Sequence, residues 1–272
     1  MIVAAACIAS SVTAQAGAVN QTFFLPVPEA HLRTTFSTIR AGGGNTIDSI
    51  FSIVVTAPDT VLYYDHWEDG YEPDLGNPTN IWSMSNPGGT QIWGDGDDAN
   101  GIPPGFAHDT NLWSGAVITL RNYVTLPRNP AQIFFDARDI LGASKPVIMT
   151  RAGWASNIGP IQAFAVEVPS VADHGTHYIC PVGEDVDSYN KFQYVGMYIL
   201  ADYDATEITL DTDGNGPIPA VTFTLNRGGA YHVNGGLKKG AYVKSSQPVL
   251  VNLVTGNKTV SYESRSYTLR PV

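Results

Sequence analysis

Residues 206–225 read Thr206-Glu207-Ile208-Thr209-Leu210-Asp211-Thr212-Asp213-Gly214-Asn215-Gly216-Pro217-Ile218-Pro219-Ala220-Val221-Thr222-Phe223-Thr224-Leu225. Ile208 and Leu210 share one face of the first run. Val221, Phe223 and Leu225 share one face of the second, with Thr222 and Thr224 opposite. Period-two alternation marks strands with one side in a core and the other in water. The Asp, Asn, Gly and Pro between the runs turn the chain. Similar runs lie at 50–56, 60–65, 116–124, 132–136, 146–150, 162–168, 194–200, 230–233, 241–245 and 249–254, and helical periodicity is nearly absent. This spacing of strands and turns predicts an all-β protein of antiparallel β-sandwich-like modules.

The length of 272 residues suits one large domain or two ordinary ones. A hydrophobic fraction of 43% supports a real core. Charged residues are only 15%, with a formal net charge of −10. That balance excludes a nucleic-acid partner, whose phosphates need Lys and Arg, and disfavours anionic lipid. No apolar run reaches the ~20 residues of a transmembrane segment. Residues 1–12 are apolar and small, and Ala14-Gln15-Ala16 follows as a cleavage site, so 1–16 reads as the remnant of a signal peptide and the protein as secreted or cell-surface. Removing that segment takes Cys7 and leaves Cys180, so no internal disulfide is expected. Cys180, flanked by Tyr178, Ile179 and Pro181, reads as a buried small hydrophobe.

Three ordered similarities suggest an internal repeat. Thr60-Val61-Leu62-Tyr63-Tyr64-Asp65 resembles Thr206-Glu207-Ile208-Thr209-Leu210-Asp211. Ala116-Val117 leading to Leu120 resembles Ala220-Val221 leading to Leu225. Lys145-Pro146-Val147 resembles Gln247-Pro248-Val249. Two tandem modules follow, at 17–160 and 161–272, with a boundary near 155–172. The ending, on the alternating run Ser266-Tyr267-Thr268-Leu269, reads as a chain cut within the second module. The first module carries a long insertion, about 65–115.

That insertion holds the unusual chemistry. Residues 41–120 contain eleven carboxylates, no Lys or Arg, and the tryptophans Trp67, Trp82, Trp93 and Trp113. The acids cluster in Asp65-His66-Trp67-Glu68-Asp69-Gly70-Tyr71-Glu72-Pro73-Asp74 and Gly94-Asp95-Gly96-Asp97-Asp98-Ala99-Asn100-Gly101. Like charges at this density call for solvation or a cation, and hard oxygen ligands suit Ca²⁺. The expected ligands are Asp65, Glu68, Asp69, Asp95, Asp97, Asp98 and Asn100. A weaker second site is Asp211, Asp213 and Asn215, which fits the first half of an EF-hand-type loop but lacks the later Glu, Thr222 standing there. Trp67, Tyr71, Trp82 and Trp93 beside these acids are candidates for stacking on a glycan, or for the insertion's own small core. Paired acids also hydrolyse glycosides, and Glu68, Asp69, Asp74 and Asp95 are available, though no pair stands out. No nucleophile elbow, zinc-protease motif, phosphate loop or dinucleotide fingerprint is present, so an enzyme is not expected. Arg138 and Arg151, near Asp136, Asp139 and Lys145, read as ion pairs on a sheet surface.

Several motifs, in order, resemble the N-terminal domain family of IgGFc-binding protein. They are Ser144-Lys145-Pro146-Val147, Gly175-Thr176-His177-Tyr178, Ala205-Thr206-Glu207-Ile208-Thr209-Leu210, Leu225-Asn226-Arg227-Gly228-Gly229-Ala230-Tyr231 and Ser245-Ser246-Gln247-Pro248-Val249. The resemblance covers roughly 110–256, and the first half is similar to large, repeat-bearing bacterial extracellular proteins. It implies an exported, non-enzymatic, β-rich module in a longer surface or matrix protein; with the acidic, aromatic insertion, adhesion or interaction with an extracellular protein or glycan is expected. It supplies no catalytic residues.

Overall fold

The computed structural model describes residues 18–156, 162–186, 191–215, 221–259 and 263–272. The expected signal segment lies outside them. The elements are β1 (Gln21–Phe24), α1 (Glu29–Ile39), β2 (Thr46–Val55), β3 (Leu62–Asp65), β4 (Gln91–Trp93), β5 (Val117–Thr125), β6 (Ile140–Ala143), β7 (Val147–Ala155) and β8 (Ala163–Val168). They continue with β9 (Gly175–Ile179), β10 (Tyr194–Ala201), β11 (Thr206–Asp211), β12 (Val221–Leu225), β13 (Ala230–Val233), β14 (Tyr242–Gly256) and β15 (Ser264–Thr268). The fold is all-β, and every strand pairing within its sheets is antiparallel.

Two four-stranded sheets, β1-β6-β3-β4 and β5-β2-β7-β8, enclose the first core. Phe23, Leu62, Tyr64, Trp93 and Leu141 enter it from one sheet, and Phe51, Ile53, Ile118, Leu120 and Met149 from the other. Alternation explains the sidedness: along β5, Ile118, Leu120 and Val124 are buried while Val117, Thr119 and Arg121 are exposed. The third sheet runs β12-β11-β14-β10-β13, with β9 and β15 also paired to β14. Its core gathers Val195, Met197, Ile199, Ile208, Leu210, Val243 and Val251.

Helix α1 was not expected. Its apolar residues Leu32, Phe36 and Ile39 recur at helical spacing and are buried. They meet Ile47 and Phe164 of the second sheet and Tyr194, Tyr198 and Val254 of the third, so α1 wedges the sheets together. A second seam joins β8 to β15 without a backbone ladder: Ser264, Ser266 and Thr268 hydroxyls donate to the carbonyls of Ala163, Ala165 and Glu167 at 2.8–2.9 Å.

Three expectations change. Residues 132–136 form no strand, because side chains take the place of a ladder: the Asp136 amide donates to Asp139 Oδ2, and Phe135 packs against Tyr64, His66 and Trp93. The runs 241–245 and 249–254 are one strand, β14, whose pairing with β9 shifts register between Lys244 and Val249. Of the repeat, β3 pairs with the next strand in sequence, β4, and β11 with β12, but β5 pairs with β2 in the other sheet while β12 pairs with β11. Leu120 and Leu225 are therefore not equivalent, and the insertion includes the strand β4.

Candidate functional site

The 65–74 run is a knot in which nearly every side chain ties the loop to the scaffold. Asp65, the last residue of β3, is buried and accepts from the Glu72 amide and the Thr90 hydroxyl, both at 2.9 Å. Burial pushes its carboxyl up to about 6. Trp67 donates its indole N–H to Asp136 at 3.0 Å and its amide to Asp139 at 3.2 Å. The Arg138 guanidinium lies 4.1 Å over its ring. Asp69 accepts from Asn80 Nδ2 at 2.5 Å. Tyr71 donates to the Arg138 carbonyl, and Glu72 gathers the amides of Thr79 and Asn80 at 3.1 and 2.7 Å. Arg227 donates to the Glu72 carbonyl, fastening the knot to the β12–β13 turn.

The 94–109 loop is built the same way. Asp109 receives the amides of Gly94 and Gly96 at 2.7 and 2.8 Å, Asp98 that of Asp109, Asp97 that of Ala99 and Asp95 that of Asp97. Such carboxylate-to-amide bonds satisfy backbone groups that have no ladder. The Asp95 carboxyl neighbours that of Asp109. Burial, with that neighbour, pushes Asp109 up to about 6. Asn100 donates to Asp95 at 2.8 Å, while its own Oδ1 is buried with no partner. Asp98, exposed, is held below the usual carboxylate range by His108 and the Asp109 amide.

The expected ligands therefore fall into separate neighbourhoods. Asp65, Glu68 and Asp69 belong to the knot, and Asp95, Asp97, Asp98 and Asn100 to the second loop. Asp211, Asp213 and Asn215 cap the turn after β11: Asp211 Oδ1 accepts the amides of Asp213 and Gly214, and Asp213 accepts that of Asn215. Of the candidate stacking residues, Trp93 is fully buried, stacked on Tyr64 with ring centroids 5.4 Å apart, and offers no face to a ligand. Trp67, Tyr71 and Trp82 are half-buried. Exposed apolar side chains on the insertion are instead Ile81, Met84 and Trp113, Met84 at 92% exposure.

Beneath the knot lies a cluster that the sequence reading placed on a sheet surface. Asp136, Asp139 and Arg151 are buried, as is Glu29 of α1. Arg151 meets Glu29 at 3.0 Å, and Arg128 bridges Glu68 and Asp136. Burial, then the neighbouring Glu29 and Asp139 charges, pushes Asp136 up to about 9. Burial, then Glu68, raises Asp139 well above the carboxylate range. His66 is lowered by burial. A cavity of about 300 Å³, walled by Pro28, Trp67, Arg128, Asp136 and Arg138, opens beside the cluster. Arg138 there has φ +87° and nearby Val27 φ +62°, a conformation that costs free energy in a residue with a Cβ.

Among the described residues, no helix is long and apolar enough to cross a membrane. Comparison with protein-family models, curated proteins and solved structures finds no match for this chain.

Proposed function

We propose that this chain is an exported, non-enzymatic interaction module acting at a cell surface or in a matrix, with Ca²⁺ ordering its 94–109 loop. The observation that carries the reading is the division of labour in the insertion. Its acids bind its own backbone amides and make a long excursion stiff. That stiff excursion holds Ile81, Met84 and Trp113 out to solvent. Apolar side chains held exposed on a braced loop are what a binding surface needs. The resemblance noted in the sequence points the same way. Support for Ca²⁺ is local: Asp95, which neighbours Asp109, accepts from Asn100, whose own oxygen is buried with no partner, and Asp97 lies in the same turn.

The test is binding of the purified chain to arrays of extracellular-matrix proteins and of glycans. The Met84→Ala/Trp113→Ala double variant should lose at least about tenfold in affinity for whatever binds, with its melting temperature unchanged. Binding untouched by both substitutions, or turnover of a glycan, would overturn the reading. A signal on the glycan array alone, abolished by Trp113→Ala, would place the module among carbohydrate binders.

A further inference from the structure

The buried cluster has a charge balance that its own residues do not close. Its acids are Glu29, Glu68, Asp136 and Asp139, and the guanidiniums bonded to them are Arg128 and Arg151. Arg151 serves Glu29. Arg128 is shared between Asp136 and Glu68 through Asp136 Oδ2 and Glu68 Oε1. Two guanidiniums balance two of the four acids, so the other two need protons or a counter-ion; Asp139 meets no guanidinium, and Glu68 keeps one oxygen that Arg128 does not reach. The side chain of Glu68 is 1% exposed and its Oε2 is buried with no hydrogen-bond partner. Asp139 is fully buried and meets a hydroxyl, two amides and His66, but no guanidinium. Unbalanced buried charge is expensive in the absence of a counter-ion or a bound proton.

The same two acids and His66 place one ligand atom each within 4.8 Å of one another, the one such trio among the described residues. We infer that His66, Glu68 and Asp139 bind a first-row divalent metal ion of the zinc or manganese class. An imidazole with two carboxylates suits those ions better than Ca²⁺, which takes oxygen ligands. Donors on a tetrahedral ion at ~2.0–2.2 Å lie about 3.3–3.6 Å apart, so atoms within 4.8 Å of one another close on it with side-chain shifts of up to about 1 Å. The ion's positive charge takes the place of the protons or counter-ion that the acids beyond the two guanidiniums need. His66 Nδ1 sits 3.0 Å from the Phe134 carbonyl, which becomes a fourth donor when Nδ1 turns to the metal. The imidazole proton then moves to Nε2, 3.4 Å from the Gln91 side-chain amide. Gln91 must turn its oxygen to receive that proton, giving up its bond from Trp93 Nε1. Arg128 stays on Glu68 Oε1 and orients the free oxygen, as a second hydrogen-bonded shell does for a metal-binding carboxylate.

The experiment is metal analysis of the purified chain, followed by calorimetric titration of the chelator-treated protein with Zn²⁺ and Mn²⁺. About one equivalent of one of these ions, bound at micromolar affinity or tighter and at least tenfold weaker at pH 5.5 than at pH 7.5, is the expected result, because the ligands must lose protons to bind. Glu68→Gln keeps the size of the side chain and an oxygen for Arg128. It should fold, as circular dichroism will show, and lose at least a hundredfold in affinity. Glu207→Gln, on the exposed face of β11 and away from both loops, should bind as the parent does. No stoichiometric metal and no titration heat in the parent would overturn the inference. So would unchanged binding in Glu68→Gln, which would mark surface adsorption.

Discussion

His31 of α1 and His232 of β13 face each other with ring centroids 5.3 Å apart and planes tilted by 30°. One ring comes from the helix that wedges the sheets and the other from the third sheet, so their contact reports on how the two halves of the chain are held together. Tyr198 stacks on the second face of His232 at 4.8 Å, and Thr35 Oγ1 lies 3.0 Å from its Nε2. Burial, then the neighbouring His31, lowers His232 to about 4. Burial, then Arg138, lowers His31.

Both imidazoles are therefore neutral in the fold and titrate below the unfolded value. A depressed folded value means that their contribution is complete above about pH 6.5 and is lost as pH falls toward about 4, where the unfolded chain binds protons that the fold refuses. Taken as the difference between parent and His232→Gln, which cancels the opposing proton uptake by Asp65 and Asp109, stability from urea denaturation should drop across that window by on the order of 1–2 kcal/mol, allowing for partial solvent screening. An unchanged slope in that variant would remove the pair as its cause.

Glu29→Ala should be among the most damaging single changes in α1. It leaves the Arg151 guanidinium, fully buried, without the carboxylate that meets it at 3.0 Å, and frees the Ser49 hydroxyl at 2.7 Å. The expected loss is about 3–5 kcal/mol. Glu29→Ala with Arg151→Met should recover part of it, because removing both charges leaves neither stranded. Urea denaturation of the single and double variants checks this.

Gly94→Ala should destabilise the loop after β4. Gly94 has φ +91°, and a Cβ there would stand 2.4 Å from the Thr60 carbonyl oxygen and 2.9 Å from Leu112. The backbone must shift, loosening the Gly94 amide from Asp109. A cost of about 1–3 kcal/mol is expected. Gly96→Ala, with φ +86° but open space, should cost less. Equal melting temperatures for the two would contradict the clash.

Ca²⁺ at about a hundred times its dissociation constant should stabilise the fold by about 2.7 kcal/mol, by mass action. The rise in melting temperature should vanish in Asp109→Asn and weaken below pH 6, where Asp109, pushed up to about 6, holds its proton. Thermal melts with Ca²⁺ and with a chelator, at pH 5 and pH 7.5, read both effects. No shift in the parent would remove Ca²⁺ from the proposed function.

Much of the β architecture was legible because burial on a pleated sheet writes itself as alternation. The 206–211 and 221–225 runs became β11 and β12, paired in register from Thr206 opposite Leu225 to Leu210 opposite Val221. Short or fully buried strands left no such trace: in β6 all four residues of Ile140–Ala143 are buried, and β4 has only three residues. The helix was masked by Thr34, Thr35 and Thr38, residues with weak helical preference, although Leu32, Phe36 and Ile39 carry the spacing.

The acids show the same limit. Composition marked 65–74 and 94–101 as unusual, and both runs prove to be ordered loops built around carboxylates. What each carboxylate faces depends on partners far along the chain: Arg128 lies 60 residues from Glu68, and Asp139 lies 72 from Trp67. Asp109, which holds Gly94 and Gly96, stood outside both acidic runs.

The sequence by itself determined an all-β chain with a thin charge inventory and one long acidic, tryptophan-bearing excursion, because periodicity and composition are properties of neighbours. Only the tertiary structure decided which acids are buried, which are paired and which tryptophan is core, because hydrogen bonds, desolvation and charge pairing depend on distance in space, and sequence separation does not report it.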